Sequence, residues 1–202
     1  MNDTHQFPEE LFPIRPEEMR QLHGLLEKKL GTDEIDISYR TVDSPLGPLM
    51  LAASAEGVIR LAFDREGFDR VLESLAETVS PRILESARRL EQPARQLEEY
   101  FAGARREFTL RLDRRLSHGF RGTVQQYLPS IEFGATLSYK ELAERVGNPQ
   151  AVRAVGSACA TNPLPIVVPC HRVLRSDGSL GGYLGGLEAK RELLRLEGAP
   201  VR

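Results

Sequence analysis

Apolar residues recur at helical spacing at Met19, Leu22, Leu25, Leu26 and Leu30, which predicts a helix over about residues 17–30. It follows a proline- and acid-rich lead, Phe7-Pro8-Glu9-Glu10 with Pro13 and Pro16, and is expected to pack on the domain behind it. From Ile35 the period shortens. Ile37–Val42, Leu49–Ala53 and Val58–Phe63 read as strands of an antiparallel meander, separated by the turn sequences Ser-Pro-Leu-Gly-Pro and Glu56-Gly57. Helical spacing returns at Phe68, Val71, Leu72, Leu75 and Val79. Ser80-Pro81 reads as a helix cap with proline at the first position, opening a helix towards Gln92. Pro93 would interrupt it, and it would resume through Leu97, Tyr100 and Phe101 to Gly103, with a further strand at Glu107–Leu112. No catalytic constellation falls in this half, which reads as a scaffold.

Residues 111–122 read as a connection to a second domain. Phe120, Val124, Leu128 and Ile131 mark one face of a helix that Pro129 shortens. Ser138-Tyr139-Lys140-Glu141 is a capping box opening a short helix that Gly147 stops. Asn148-Pro149 would then start a second helix running to about Ala160, rich in small residues and carrying Arg153 as its one charge. Two short helices across a glycine-containing turn describe a helix-turn-helix. Beyond it, Ser176-Asp177-Gly178 reads as a turn joining two strands, the wing. A glycine-rich loop over residues 181–186 and a closing helix from Leu187 to Leu196 follow.

Charge sharpens this division. The whole chain of 202 residues carries a net charge of −2. Residues 1–117 hold 17 Lys and Arg against 22 Asp and Glu, whereas residues 118–202 hold 10 against 7. The second half, at +3 against −5, is therefore the expected phosphate-facing half. No apolar run approaches the ~18 residues of a membrane span. The acidic start is unlike a signal peptide, so an intracellular, cytoplasmic protein is expected, with no membrane partner. Cys159 and Cys170 form no zinc-like spacing, so no metal is expected, and a reducing compartment argues against their pairing as a disulfide.

The chemistry concentrates in Pro165-Ile-Val-Val-Pro-Cys-His-Arg-Val173. There an apolar run, read as a buried strand, leads into a thiol, an imidazole and a guanidinium in consecutive positions. A thiol reacts as the thiolate, which nearby imidazoles and cations favour. A Cys-His pair alone is also compatible with ordinary core filling. The flanks decide between these. Pro169-Cys-His-Arg-Val173 is joined in order by Ser138-Tyr139, by Asn148-Pro149-x-Ala151-Val152-Arg153-Ala154-Val155-Gly156 and by Asn162-Pro163-x-Pro165-Ile166. Gly182-Tyr183-x-Gly185-Gly186-Leu187, Lys190 and Glu197 complete the set. This ordered set resembles the O6-alkylguanine-DNA alkyltransferases, densely over residues 120–198 and more loosely over 37–112.

The resemblance implies an α+β protein: an N-terminal α/β domain of ribonuclease H-like fold, then a C-terminal winged helix-turn-helix domain. The expected division is an extension at 1–34, a scaffold at 35–115 and a DNA-binding, catalytic domain at 116–202. It also implies direct, irreversible transfer of an alkyl group from O6-alkylguanine, or O4-alkylthymine, to Cys170, without a cofactor and once per molecule. His171 would act through a bridging water, oriented by Glu197. Tyr139 would support the leaving guanine, and Asn162 would be a hinge before the active-site strand. Arg153 would fill the gap left by a flipped nucleotide. Ala151, Ala154, Gly156 and Ser157 would let the helix enter the minor groove of double-stranded DNA. Val173, Tyr183, Leu184, Gly185 and Pro165 would line the alkylguanine pocket, and Arg172 and Lys190 would support the site or pair at the surface. Some members hold zinc on N-terminal cysteines; this chain has none there. Relatives also place a tryptophan near Gln126, and this chain has no Trp. A monomer is expected, with cooperativity on DNA left open. A lesion-binding module without chemistry and a cysteine hydrolase are the other classes; Cys170 counts against the first, and the lack of an oxyanion-hole motif against the second.

Overall fold

The computed structural model of the chain describes residues 15–29 and 34–200. The lead Phe7-Pro8-Glu9-Glu10 and Leu30 lie outside the described residues. The chain divides into a unit ending at Ile35 and a unit beginning at Asp36. The first contains α1 (Pro16–Lys29), along which Leu22, Leu25 and Leu26 stand exposed.

In the second unit β1 (Ile37–Val42), β2 (Leu49–Ser54) and β3 (Gly57–Phe63) form the expected antiparallel meander. β2 is buried along its whole length because both faces are covered. Met50 and Ala52 pack against Val71 and Leu75 of α2 (Phe68–Thr78). Leu49, Leu51 and Ala53 pack on the other side with Leu97 and Tyr100 of α3 (Glu91–Phe101), and also with Ile166, Val167 and Leu193 from the second half of the chain. The sheet is thus the floor on which the site-bearing half is laid.

Three expectations in this half are corrected. Ser80-Pro81 opens no helix; it leads into a short strand, β4 (Ile83–Glu85), paired parallel to β1 in the sheet order β3-β2-β1-β4. The Asp36 and Ile37 amides donate to the Arg82 carbonyl, so the open edge of β1 outcompetes local capping. Pro93 does not interrupt α3 but sits in its first turn, where a missing N–H leaves no intrahelical bond unmade. Glu107–Leu112 forms no strand beyond a single bridge from Leu112 to Val58. The Gln96 side chain instead accepts from the Thr109 amide at 2.9 Å and donates to its hydroxyl.

The other half packs α4 (Gly119–Tyr127), α5 (Tyr139–Arg145) and α6 (Val152–Ala160) around Val124, Leu142, Val155 and Ala158. A 3-10 turn at Leu128–Ser130 ends α4 at Pro129, as expected. The capping box is formed in full: Ser138 Oγ accepts from the Glu141 amide, and Glu141 accepts from the Ser138 amide. α6 starts later than Asn148-Pro149 suggests. Gly147, at φ +80°, lets the Asn148 amide reach back to the Ala143 carbonyl and close α5, and the Asn148 carbonyl then accepts from the Ala151 amide in a turn that precedes α6. The wing is corrected too. β6 (Val173–Leu174) pairs parallel with β5 (Leu137–Ser138), and the turn at Asp177-Gly178 leads into no second strand among the described residues. α7 (Gly186–Leu196) closes the fold.

Candidate active site

The run Leu164–Pro169 is not the strand its composition suggests but two tight turns in succession. The Val167 amide donates to the Pro165 carbonyl across Ile166, which stands at φ +72°. This is a γ-turn of the rarer, strained hand, unusual for a β-branched residue. The Cys170 amide then donates to the Val168 carbonyl at 2.8 Å, across Pro169 at φ −81°, ψ 64°, an inverse γ-turn for which proline's fixed φ is suited. The chain passes directly into a 3-10 turn, Cys170–Arg172. Tight turns point successive side chains in different directions, so Cys170 faces one neighbourhood while His171 and Arg172 face another.

Cys170 faces the helical core, 2% exposed, beside Val124, Val155, Leu164 and Val168. Its thiol accepts a hydrogen bond from Asn162 Nδ2 at 3.2 Å. The same nitrogen donates to the Val168 carbonyl, while Asn162 Oδ1 accepts from the Leu164 amide. Asn162, expected as a hinge residue, touches the thiol. Burial pushes the Cys170 pKa up to about 11, against the opposing effects of the Asn162 bond and the Lys190 charge. Lys190 is wholly buried, donates to the Val173 carbonyl at 2.6 Å and lies 5.9 Å from the Tyr139 ring centroid. Burial lowers its pKa.

His171 turns away into a polar cluster and is fully buried. Its Nε2 meets Glu197 Oε1 at 2.9 Å. Arg172 grips the same carboxylate with Nε and Nη2, at 2.8 and 2.9 Å, and its Nη1 donates to the Ile131 carbonyl. Tyr100 donates to Glu197 Oε1 at 2.7 Å. Burial would raise the Glu197 pKa, but the bonds and charges of His171 and Arg172 outweigh it and hold the carboxyl well below its usual range. An ionised carboxylate only accepts, so Nε2 of His171 carries the ring proton and Nδ1 is left as an acceptor. That Nδ1 is buried without a hydrogen-bond partner among the described residues. Burial lowers the His171 pKa, so the ring is held neutral.

Glycines bring the walls close. A Cβ on Gly181 would lie 2.3 Å from the Tyr139 hydroxyl, and one on Gly185 would lie 2.7 Å from the Phe63 ring. Tyr183 packs edge-on to Phe63, centroids 5.5 Å apart, and near His171 at 6.4 Å. The Tyr183 hydroxyl is buried with no hydrogen-bond partner among the described residues. Burial first, then the two thiols, pushes Tyr139 up to about 12. Val173 and Pro165 are buried, and Leu184 is half-buried against the sheet-side core. On α6, Arg153, Ala154 and Ser157 are exposed, Ala151 and Gly156 half-buried, and Val155, Ala158 and Cys159 face inwards.

Two family models match this architecture in chain order. The 6-O-methylguanine DNA methyltransferase ribonuclease-like domain matches residues 37–114, and the DNA binding domain of the same name matches residues 119–199. The chain belongs to the 6-O-methylguanine DNA methyltransferase family. A methylated-DNA–protein-cysteine methyltransferase of Mycolicibacterium paratuberculosis is 44% identical over 80% of this chain and 92% of its own length. The constitutive Bacillus subtilis protein of that name is 39% identical over 79% and 94%. Among solved structures, the Mycobacterium tuberculosis O6-methylguanine methyltransferase superposes with a TM-score of 0.71 at 38% identity, over 82% of this chain and 96% of that one. Its complex with DNA gives 0.69 at 40% identity, over 81% and 95%. The fold is that family's mixed α/β domain followed by a helical DNA-binding domain.

In this family member the structure pairs Cys170 with Asn162 and His171 with Glu197, and it brings Tyr139 against Gly181 of the glycine loop. The exposed face of α6 is a separate surface. Tyr100 was missed. Nothing in sequence marks a tyrosine on a scaffold helix, 97 residues from its partner Glu197. Arg172 and Lys190 are resolved as buried site supports rather than surface ion-pair residues.

Proposed function

We propose that Cys170 is the acceptor in direct-reversal repair of O6-alkylguanine. The protein binds double-stranded DNA and moves the alkyl group from guanine O6 to its active-site cysteine. The Cys170 Sγ–carbon bond forms as the carbon–O6 bond breaks, and the departing guanine takes up a proton. The observation that carries this assignment is the buried thiol held by Asn162 and followed directly by a histidine with one nitrogen fixed on Glu197 and the other unpartnered.

At rest the thiol is protonated, since burial has raised its pKa to about 11. His171 Nδ1 takes that proton through an intervening water, and the imidazolium formed is stabilised by Glu197. Tyr139 donates towards the leaving guanine, a role helped by a hydroxyl that stays protonated. The guanine must leave the stack to reach a buried sulfur. α6 enters the minor groove with Ala151, Ala154, Gly156 and Ser157 at the contact, and Arg153 occupies the vacated space. Val173, Tyr183, Leu184, Gly185 and Pro165 line the pocket. The thioether product has no leaving group these residues could activate, so each molecule acts once, as a monomer in the cytoplasm. O4-alkylthymine is a second substrate of the same pocket.

Intact-protein mass after incubation with a duplex containing O6-methylguanine tests the assignment. A gain of one methyl group, mapped to Cys170 and absent in Cys170→Ala, is expected. DNA binding without mass gain would instead make the protein a lesion sensor.

A further inference from the structure

The first sheet has no part in this chemistry, yet one of its segments touches the site twice. β3 runs past the turn at Asn162-Pro163. There the Leu61 amide and Arg60 Nη1 both donate to the Pro163 carbonyl, at 2.9 and 3.0 Å, filling both of its lone pairs. Arg60 Nη1 also donates to the Leu61 carbonyl. The other arm of the guanidinium is held by Glu66 Oε2, and Glu66 Oε1 accepts from the Phe63 amide. Both side chains are only 13% exposed, so this is no loose surface pair. A few residues on, Phe63 lies against Tyr183 and Gly185.

Pro163 directly follows Asn162, the residue whose amide donates to the Cys170 thiol and the Val168 carbonyl. The turn is therefore fixed from two sides: by the Asn162 side chain within its own half of the chain, and by Arg60 and β3 from the sheet. With Arg60 removed, the Pro163 carbonyl keeps the Leu61 amide alone, and the backbone that aims the Asn162 amide gains room to shift. A thiol loses a hydrogen bond to a small displacement of this kind, because such bonds weaken steeply with angle.

We infer that Arg60, held by Glu66, is a positioning residue for Cys170: it fixes the Pro163 carbonyl and so aims the Asn162 amide at the thiol. This rests on Cys170 being the acceptor. The test compares wild type with Arg60→Met, Arg60→Lys and Glu66→Gln in three measurements. These are affinity for an unmodified duplex, the rate of methyl transfer from an O6-methylguanine duplex across pH, and the pH dependence of Cys170 labelling by iodoacetamide, mapped by peptide mass. Arg60→Met is expected to slow transfer by about tenfold to a hundredfold with unchanged duplex affinity, since small misplacements of a reacting group cost that much. Its rate and labelling profiles should both move to higher pH. Arg60→Lys should recover part of the loss, because an ammonium cannot span both Pro163 and Glu66. Should Arg60→Met fail to fold, Arg60→Lys and Glu66→Gln carry the same expectation of an intermediate shift. Unchanged profiles in all folded variants would overturn the inference, as would a loss of rate with no movement of either profile. If wild type itself takes up no methyl group, the acceptor assignment falls, and the labelling arm still decides whether Arg60 positions the thiol.

Discussion

Cys159 and Cys170 sit in one apolar cluster, 4% and 2% exposed, yet they differ in hydrogen bonding and in backbone setting. Burial raises both thiols. Cys159, raised further by the neighbouring Cys170 thiol and relieved by the Lys190 charge, is driven far above the ordinary thiol range, whereas Cys170 has in addition the Asn162 amide and rises to about 11. One thiol lies within a helix, its neighbours set by α6; the other opens a 3-10 turn whose next residue reaches a carboxylate cluster. Burial alone makes a cysteine inert. Donors aimed at the sulfur, with a proton acceptor held close in sequence, make it a candidate nucleophile.

The largest expected effect separates the two outright. Cys170→Ala should abolish methyl uptake in an intact-mass assay, while Cys159→Ala should keep it and cost about 1 kcal/mol of stability from lost packing. Uptake surviving in Cys170→Ala would erase the distinction. Next, Glu197→Ala should cost about 3–5 kcal/mol in urea unfolding, because it leaves the buried Arg172 charge unpaired. Glu197→Gln, closer in shape, should slow transfer by roughly a hundredfold through loss of the oriented base. A stable, fully active Glu197→Gln would remove His171 from the mechanism.

Smaller again, Asn162→Ala should slow transfer by about tenfold, the equivalent of one hydrogen bond to a charged sulfur. It should also move the Cys170 labelling profile to higher pH and leave Cys159 untouched. Equal movement of both thiols would mean that burial, not the amide, sets the difference. The smallest effect is in stability against pH. Both folded-state thiol pKa values lie above the unfolded value of about 8.5, so above that pH the unfolded chain releases protons that the folded chain retains. Stability is therefore fully present below about pH 8.5 and declines as pH rises towards the folded values. Urea midpoints measured from about pH 7.5 to 10 should fall, and each Cys→Ala change should flatten the decline.

What could be seen in the sequence was local. The Ser138–Glu141 capping box, the Gly147 stop, the Pro129 break and the three-strand meander each depend on residues a few positions apart. Ser80-Pro81 carried an equally good local signal and failed, because the edge of β1 offered its backbone a better partner. Leu164–Pro169 looked like a strand because apolar composition does not distinguish a strand from two buried γ-turns. Of the site, the motif residues were visible through their order along the chain. Tyr100 and Arg60 were not, since each acts through a partner about a hundred positions away.

The sequence by itself determined the candidate triplet Cys170-His171-Arg172, the short helices of the DNA-binding half and the division of charge between the halves. These follow from residue chemistry, capping and periodicity, which act over one or two turns of chain. Only the tertiary structure decided which nitrogen of His171 is left free, that Asn162 touches the thiol and that the sheet braces the turn beside it. Those are hydrogen-bond geometries between segments far apart in the chain, fixed when the sheet and helical layers close over a common core and leave each buried polar group to find its partner there.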